Sequence, residues 1–154
     1  PAGAPNQVLG VFDARWLEPL AHVLHALGSR HVLVVHSDDG LDEISIGTPT
    51  RYAELKAGRV TVGTLQPADV GLSLRDIAPL RVATAAGSLA LVREALGDVP
   101  GAARDIVLMN AGAAIYVSGL ARDLPAGVAR ARDAIASGAA LARLDALAEL
   151  SRRL

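Results

Sequence analysis

The chain has 154 residues, with 15 Lys and Arg against 16 Asp and Glu, and it contains no cysteine. This length is that of one ordinary domain, which can close a hydrophobic core without disulfides or a structural metal. The net charge of −1 lacks the basic footprint of a nucleic-acid-binding protein, and the absence of cysteine excludes a disulfide scaffold and any thiolate site. Charges or prolines interrupt every apolar stretch before the roughly 20 residues that a membrane-spanning helix needs. We therefore expect no nucleic acid and no membrane as partners, and a reducing cytoplasm is the simplest location.

The N-terminal part of the chain predicts a strand, a helix and a second strand in succession. Residues 7–11 form a short apolar run, and residues 13–27 carry apolar side chains three and four positions apart, which indicates an amphipathic helix. Asp13 is the expected N-cap of this helix, and Gly28 is the expected residue after its end. Residues 31–35 are rich in Val and do not alternate with polar residues, which is typical of a strand buried on both faces.

The rest of the chain predicts a hairpin, a connection and a run of helices. Residues 51–56 and 59–65 alternate around a Gly-containing turn, which favours a β-hairpin, and residues 66–82 are expected to form a long connection with one helical turn. The expected helices are residues 85–96, 100–118, 126–137 and 139–154. The predicted class is therefore α/β, with a mostly parallel sheet flanked by helices, one β-hairpin and a helical C-terminal half.

The residues that follow the second predicted strand carry the most informative chemistry. Residues 36–43 read His-Ser-Asp-Asp-Gly-Leu-Asp-Glu, and no Lys or Arg occurs from residue 36 to residue 50. They stand at the carboxyl end of the strand, the edge at which open α/β sheets bind ligands. Such a density of like charge needs a positive partner, and Mg²⁺ is the natural candidate because it bridges carboxylates to substrate phosphates. The adjacent Asp42 and Glu43 would serve two separate ions from an extended chain, or lie together in a bend.

The same residues also fit a solvated turn with no ligand. The Asp-Asp-Gly sequence at 38–40 is favourable in a turn, and Asp42 could cap a short helix. An EF-hand is excluded, because placing Gly40 at the sixth loop position puts Val35 and Ile46 at the first and last ligand positions. Charge and position alone therefore leave the metal site and the solvated turn both open.

The acidic segment also carries a resemblance to a known family. The string Val-Val-His-Ser-Asp-Asp-Gly-Leu-Asp-Glu-Ile-Ser at residues 34–45, followed by Thr-Pro-Thr at 48–50 and Ala-Glu-Leu at 53–55, resembles the later part of anthranilate phosphoribosyltransferases. Supporting matches are residues 7–11, Gly71-Leu72 and residues 108–116. The resemblance runs over essentially the whole chain, and its specific element is the Asp-Gly-Leu-Asp-Glu core.

This resemblance implies a function, a cofactor and two site residues. Members of the family transfer a 5-phosphoribosyl group from phosphoribosyl pyrophosphate to the amine of anthranilate, with release of pyrophosphate, in tryptophan biosynthesis. They use Mg²⁺, are usually homodimers, and combine a small helical domain with a larger α/β domain. The metal-binding Asp-Glu pair of the family falls on Asp42 and Glu43, whereas no role is carried over for His36, Ser37 or Asn110.

The resemblance also implies that much of the family's machinery is missing from this sequence. The Gly-Thr-Gly-Gly-Asp phosphate loop, the Asn-x-Ser-Thr and Lys-His-Gly motifs and the anthranilate-binding Arg have no counterpart. Residues 1–154 are therefore expected to be the C-terminal portion of the α/β domain, without the N-terminal helical domain and the substrate-binding residues. We expect this portion alone to be inactive and to need the missing N-terminal half.

Two alternatives to the phosphoribosyltransferase interpretation remain open from the sequence. A pyrimidine nucleoside phosphorylase has the same architecture and cleaves with phosphate instead of pyrophosphate, although the full Asp-Gly-Leu-Asp-Glu-Ile-Ser string at residues 39–45 favours the first family. The other alternative is a non-catalytic α/β assembly module whose acidic loop is only a solvated turn.

Overall fold

The computed structural model describes residues 3–153 of the chain, which contain four strands and five α-helices. The strands are β1 (Asn6–Gly10), β2 (His31–Ser37), β3 (Thr50–Lys56) and β4 (Arg59–Leu65). The helices are α1 (Leu17–Ala26), α2 (Ala85–Leu96), α3 (Ala102–Val117), α4 (Leu124–Ala136) and α5 (Ala139–Ser151). Pro1, Ala2 and Leu154 lie outside the described residues, so the last position of the predicted helix 139–154 does too.

The strands form one sheet in the order β1-β2-β3-β4. β1 pairs with β2 in parallel, whereas β2 with β3 and β3 with β4 are antiparallel. The expected α/β class, the β-hairpin and the helical C-terminal half are confirmed. The expectation of a mostly parallel sheet is wrong for these strands. The segment at residues 38–49 contains no helix, and a parallel return to the sheet normally requires a helical crossover.

The sheet has a hydrophobic cluster on each of its two faces. Val32 and Val34 of β2 pack with α1 residues on one face, whereas Leu33 and Val35 pack against α3 and α4 on the other. All four of these side chains are buried. The absence of polar alternation in β2 is thereby explained, because both faces of the strand are covered.

Several predicted boundaries differ from the structure by a few residues. The first helix begins at Leu17 and not at Asp13, because the Asp13 carboxylate accepts the backbone N–H of Arg15 at 2.9 Å and caps a short 3-10 turn at Ala14–Trp16. The connection between β4 and α2 contains two 3-10 turns, Pro67–Val70 and Ala78–Leu80, and not one. β2 also continues two residues further than predicted, to Ser37, which carries the strand into the acidic segment.

The turn of the β3–β4 hairpin contains a strained position that offers a stability prediction. Both turn residues have positive φ, 51° at Ala57 and 74° at Gly58, as tight hairpin turns of this kind require. Because Ala is disfavoured at positive φ and Asn tolerates it, Ala57→Asn is expected to stabilise the protein by about 0.5–1 kcal/mol. Urea denaturation measures this change. A loss of stability in Ala57→Asn would contradict the strain argument.

Within residues 3–153, no helix combines the length and the apolar character needed to cross a bilayer.

Candidate functional site

The acidic segment forms a loop at the carboxyl end of β2, as the sequence predicts. We call residues 38–49 the carboxylate loop. It begins with a tight turn in which the Gly40 N–H donates to the Ser37 carbonyl at 2.9 Å, with Gly40 at a φ of 88°. The Ser37 N–H in turn donates to the Leu41 carbonyl at 3.0 Å. The Asp-Asp-Gly sequence at residues 38–40 therefore forms a turn, as its composition predicts.

Two of the four acidic side chains in the loop have protein partners. Asp38 forms an ion pair with the guanidinium of Arg51 at 2.9 Å. Asp39 accepts the Ser45 hydroxyl at 2.6 Å and the Leu41 N–H at 3.2 Å. Arg51, the first residue after the stretch without basic side chains, thus supplies part of the positive charge for which the sequence suggested Mg²⁺ as the candidate.

Asp42 and Glu43 are the two acidic side chains of the loop that remain available. Both lie in a bend and are exposed, and neither side chain has a hydrogen bond or an ion pair with any residue in the described range 3–153. The bend agrees with one of the two geometries expected from their adjacency. Among these same described residues, no group of three or more His, Asp or Glu side chains could by itself hold a metal ion. Two free carboxylates fit Mg²⁺, which commonly keeps several waters and completes its shell with substrate oxygens.

The hydroxyl groups of Ser37 and Thr50, the two residues that flank the carboxylate loop, fix the backbone next to Asp42 and Glu43. The Ser37 hydroxyl donates to the Glu43 carbonyl at 2.6 Å and lies 2.7 Å from the Thr50 hydroxyl. The Ser45 N–H donates to both hydroxyl oxygens at 3.1 Å. Because all three side chains are completely buried, the loop backbone is held by a polar network shielded from water.

Gly10, at the end of β1, allows the loop to lie against the sheet. A Cβ atom at this position would overlap the backbone carbonyl oxygen of Asp42. The close approach therefore requires a residue without a side chain, and it fixes where the Asp42 backbone sits. A glycine inside a predicted strand signals such an approach, although the sequence does not reveal which segment comes near.

Helix α3 contacts the loop from the opposite side. The Asn110 amide makes two hydrogen bonds to the backbone of Ile44, the residue after Glu43. The connection between β4 and α2 is also attached to the loop. The Arg75 N–H donates to the Ile46 carbonyl at 2.9 Å, and the Arg75 side chain forms an ion pair with the buried Asp105 of α3. An Asn within the apolar run at residues 108–113 is a signal that sequence reasoning can use, but its partner lies 66 residues away.

Asp42 and Glu43 open onto a groove of about 580 Å³. Its other wall comes from the connection and the start of α2, including Arg81 and Ser88. Aliphatic side chains line much of the space between these walls: Leu80, Val82, Leu91, Val92, Ile106 and Val107. The site therefore combines two free carboxylates with an exposed guanidinium in one concave region.

Within residues 3–153, no histidine side chain forms a hydrogen bond or an ion pair with Asp42 or Glu43. His36 uses its Nδ1–H to donate to the Val11 carbonyl at 2.8 Å, and so braces the ends of β1 and β2. His22 and His25 are exposed on α1, where His22 lies 3.8 Å from Glu18.

A second polar cluster lies at the other end of the sheet, away from the carboxylate loop. The Tyr116 hydroxyl donates to Glu54 at 2.6 Å and accepts from Lys56 at 2.9 Å, and His31 also contacts Glu54. Burial raises the pKa of the Tyr116 phenol, and the hydrogen bond to Glu54 raises it further. The hydrogen bond from Lys56 to Tyr116 raises the pKa of Lys56. Tyr116 therefore stays protonated near neutral pH and joins the end of α3 to β3.

Comparison with known proteins identifies the family. A family model described as "Glycosyl transferase family, a/b domain" matches residues 1–141. The chain belongs to this glycosyl transferase family. The predicted resemblance is thereby confirmed at the level of the family, and the carboxylate loop lies inside the matched region.

Two relatives and one solved structure to which the chain is similar are all anthranilate phosphoribosyltransferases. The chain is 61% identical over 147 residues to an anthranilate phosphoribosyltransferase of Thioalkalivibrio sulfidiphilus, a match that covers 96% of this chain and 44% of the relative. It is 54% identical over 153 residues to that of Methylococcus capsulatus, covering 99% and 45%. The crystal structure of anthranilate phosphoribosyltransferase from Thermus thermophilus matches with a TM-score of 0.85 at 39% identity, over 94% of this chain and 43% of that one.

A more distant structure shows the fold alone. The Saccharomyces cerevisiae anthranilate phosphoribosyltransferase in complex with PRPP and Mg matches with a TM-score of 0.78 at 23% identity, over 91% of this chain and 41% of that chain. This chain thus spans less than half the length of these relatives and structures.

Proposed function

We propose that this chain is the C-terminal portion of an anthranilate phosphoribosyltransferase. The reaction transfers the 5-phosphoribosyl group from phosphoribosyl pyrophosphate to the amine of anthranilate and releases pyrophosphate, in tryptophan biosynthesis. The observation that carries the proposal is the 61% identity over 96% of the chain to a relative of that name. The names of these relatives favour this activity over a pyrimidine nucleoside phosphorylase.

Asp42 and Glu43 are the residues that we propose to hold Mg²⁺. Their support is geometric, because they are the acidic side chains that the carboxylate loop leaves without protein partners within residues 3–153, and they face the groove. When bound, Mg²⁺ would offset negative charge on the departing pyrophosphate. The carboxylates hold the ion beside the groove, and the backbone network of Ser37 and Thr50 keeps them in place. The yeast anthranilate phosphoribosyltransferase of similar fold forms a complex with PRPP and Mg, which agrees with this assignment.

The remaining parts of the proposal concern what this chain does not supply. Since the phosphate loop and the acceptor-binding residues of the family have no counterpart in the sequence, we propose that they come from an N-terminal half with its own helical domain. We further propose that the complete protein is a cytoplasmic homodimer, as the family resemblance implies. On this basis the 154-residue chain alone lacks most of its substrate contacts and is inactive.

An activity assay with and without the complementary half tests this proposal. The chain alone is expected to give no phosphoribosylanthranilate above the uncatalysed rate. The same chain joined to the N-terminal portion of the Thioalkalivibrio sulfidiphilus relative is expected to consume anthranilate and release pyrophosphate in a Mg²⁺-dependent reaction. Loss of anthranilate fluorescence measures the consumption of the acceptor, and a coupled assay measures the pyrophosphate.

Two controls separate the alternatives. The N-terminal portion of the relative, assayed alone, shows whether activity depends on this chain. Uridine or thymidine with inorganic phosphate tests the nucleoside phosphorylase alternative on the joined protein. Turnover by the 154-residue chain alone would refute its dependence on an N-terminal half. A folded joined protein without transferase activity would support the non-catalytic module.

A further inference from the structure

Asn110 makes an unusual pair of contacts with the carboxylate loop. Its Oδ1 accepts the Ile44 N–H at 3.0 Å, and its Nδ2 donates to the Ile44 carbonyl at 2.9 Å. The Nδ2 group also donates to the Ile106 carbonyl at 3.0 Å, one turn earlier in α3. One side-chain amide therefore satisfies both backbone polar groups of Ile44, as a neighbouring strand would, and is itself fixed by its own helix.

These contacts hold the residue that follows the proposed metal-binding pair. Ile44 follows Glu43 in the chain, and its side chain is completely buried against the α3 face of the sheet. On the other side, the Ser37 hydroxyl holds the Glu43 carbonyl. The backbone of residues 43 and 44 is therefore held from both sides, so that the free carboxylates project from a fixed support.

We propose that Asn110 is a positioning residue that sets the geometry of Asp42 and Glu43 for metal binding. This inference rests on the proposed function, because it assumes that those two carboxylates hold the ion. Metal affinity depends on groups that orient the ligands as well as on the ligands themselves. Asn suits this role because its amide offers a donor and an acceptor at the spacing of a peptide group, which neither Asp nor Leu provides.

The alternative is that Asn110 only helps α3 to pack on the sheet. The two roles differ in what they predict for metal binding by a folded variant. Asn110→Ala removes both hydrogen bonds, and Asn110→Leu removes them while keeping most of the side-chain volume. Tyr116→Phe is the matched control, because it deletes two side-chain hydrogen bonds of the same helix at the end remote from the loop.

The test uses the joined protein of the preceding section, with Mn²⁺ and inorganic pyrophosphate as the probe. Electron paramagnetic resonance of free Mn²⁺ gives the dissociation constant, and thermal unfolding verifies that each variant is folded. Asn110→Ala and Asn110→Leu are expected to weaken Mn²⁺ binding about tenfold or more, as is usual when a group that orients a ligand is removed. Hydrogen exchange at the Ile44 amide is expected to become up to about tenfold faster, because the amide loses its acceptor. Tyr116→Phe is expected to change neither quantity.

The outcomes separate this inference from the function on which it rests. If Asp42→Asn loses Mn²⁺ while folded Asn110→Ala and Asn110→Leu bind it like the unmodified protein, only the role of Asn110 is overturned. If Asp42→Asn and Glu43→Gln also bind Mn²⁺ like the unmodified protein, the metal site itself is wrong and the role of Asn110 falls with it. If only Asn110→Leu folds, a tenfold loss of affinity in that variant alone supports the proposal.

Discussion

Replacing Asp42 with Asn, or Glu43 with Gln, is expected to lower the transferase turnover of the joined protein about a hundredfold or more. Each change keeps the size and shape of the side chain but removes one negative charge. The charge is what a divalent cation needs from the two ligands that this chain is proposed to supply. Higher Mg²⁺ is expected to restore part of the activity, so the apparent Mg²⁺ constant should rise in both variants. Initial rates over a Mg²⁺ titration give both quantities.

These two changes should leave the fold intact. Both side chains are exposed and make no hydrogen bond within residues 3–153, so the free energy of unfolding is expected to change by less than about 0.5 kcal/mol. Asp38→Asn is the matched control, because Asp38 belongs to the same loop but is paired with Arg51. It is expected to keep the Mg²⁺ dependence of the unmodified protein. Equal activity and equal Mg²⁺ dependence in Asp42→Asn would contradict the metal assignment.

Gly10→Ala is expected to destabilise the protein by about 3 kcal/mol and to weaken Mg²⁺ binding at the same time. The added Cβ atom cannot be accommodated, because it would occupy the position of the Asp42 carbonyl oxygen. Either the end of β1 or the carboxylate loop must move, and both belong to the support of the proposed site. Urea denaturation measures the loss of stability, and Mn²⁺ titration measures the displacement of the ligands.

Gly101→Ala provides the matched control for this substitution. A Cβ atom added at Gly101 would have no atom within 4 Å from described residues other than its own neighbours in the chain, and the φ of 165° is an extended conformation that Ala also adopts. Gly101 is the N-cap residue of α3, and Gly101→Ala is expected to lower the free energy of unfolding by less than about 1 kcal/mol, with no change in metal binding. A Gly10→Ala variant as stable as Gly101→Ala would show that the loop does not need its close approach to β1.

The fold was largely predictable because local patterns specify most of its elements. The apolar run of β2 is unbroken because both faces of the strand are buried. The apolar residues of α1 recur at three- and four-residue spacing because one face of the helix is buried, and both patterns can be recognised from the sequence. The pairing direction of β3 was not predictable in this way. It depends on the path of residues 38–49, which return to the sheet without a helix. Helix starts also shifted where a polar side chain such as Asp13 capped a 3-10 turn first.

The position of the carboxylate loop was predictable, but the contacts of its side chains were not. Its place after β2 follows from the general behaviour of strand ends, and the family resemblance selected Asp42 and Glu43. That Asp38 and Asp39 are paired with Arg51 and Ser45 required the three-dimensional structure. The supporting residues are harder still to infer, because they contact the loop from distant parts of the sequence and each is a common residue type in an ordinary local context.

The protein holds the carboxylate loop by contacts to its backbone. The shape of the loop therefore does not depend on which side chains stand at positions 42 and 43. Gly10 faces the carbonyl of residue 42, Ser37 binds the carbonyl of residue 43, and Asn110 binds the peptide groups of Ile44. Replacing the side chain at position 42 or 43 with a different one should therefore leave the backbone of the carboxylate loop unaltered. In the proposed metal site, His at either position would offer imidazole nitrogen in place of oxygen, and would move the cation preference from the proposed Mg²⁺ toward Zn²⁺ or Ni²⁺. Selectivity among cations could thus be redesigned here by single substitutions.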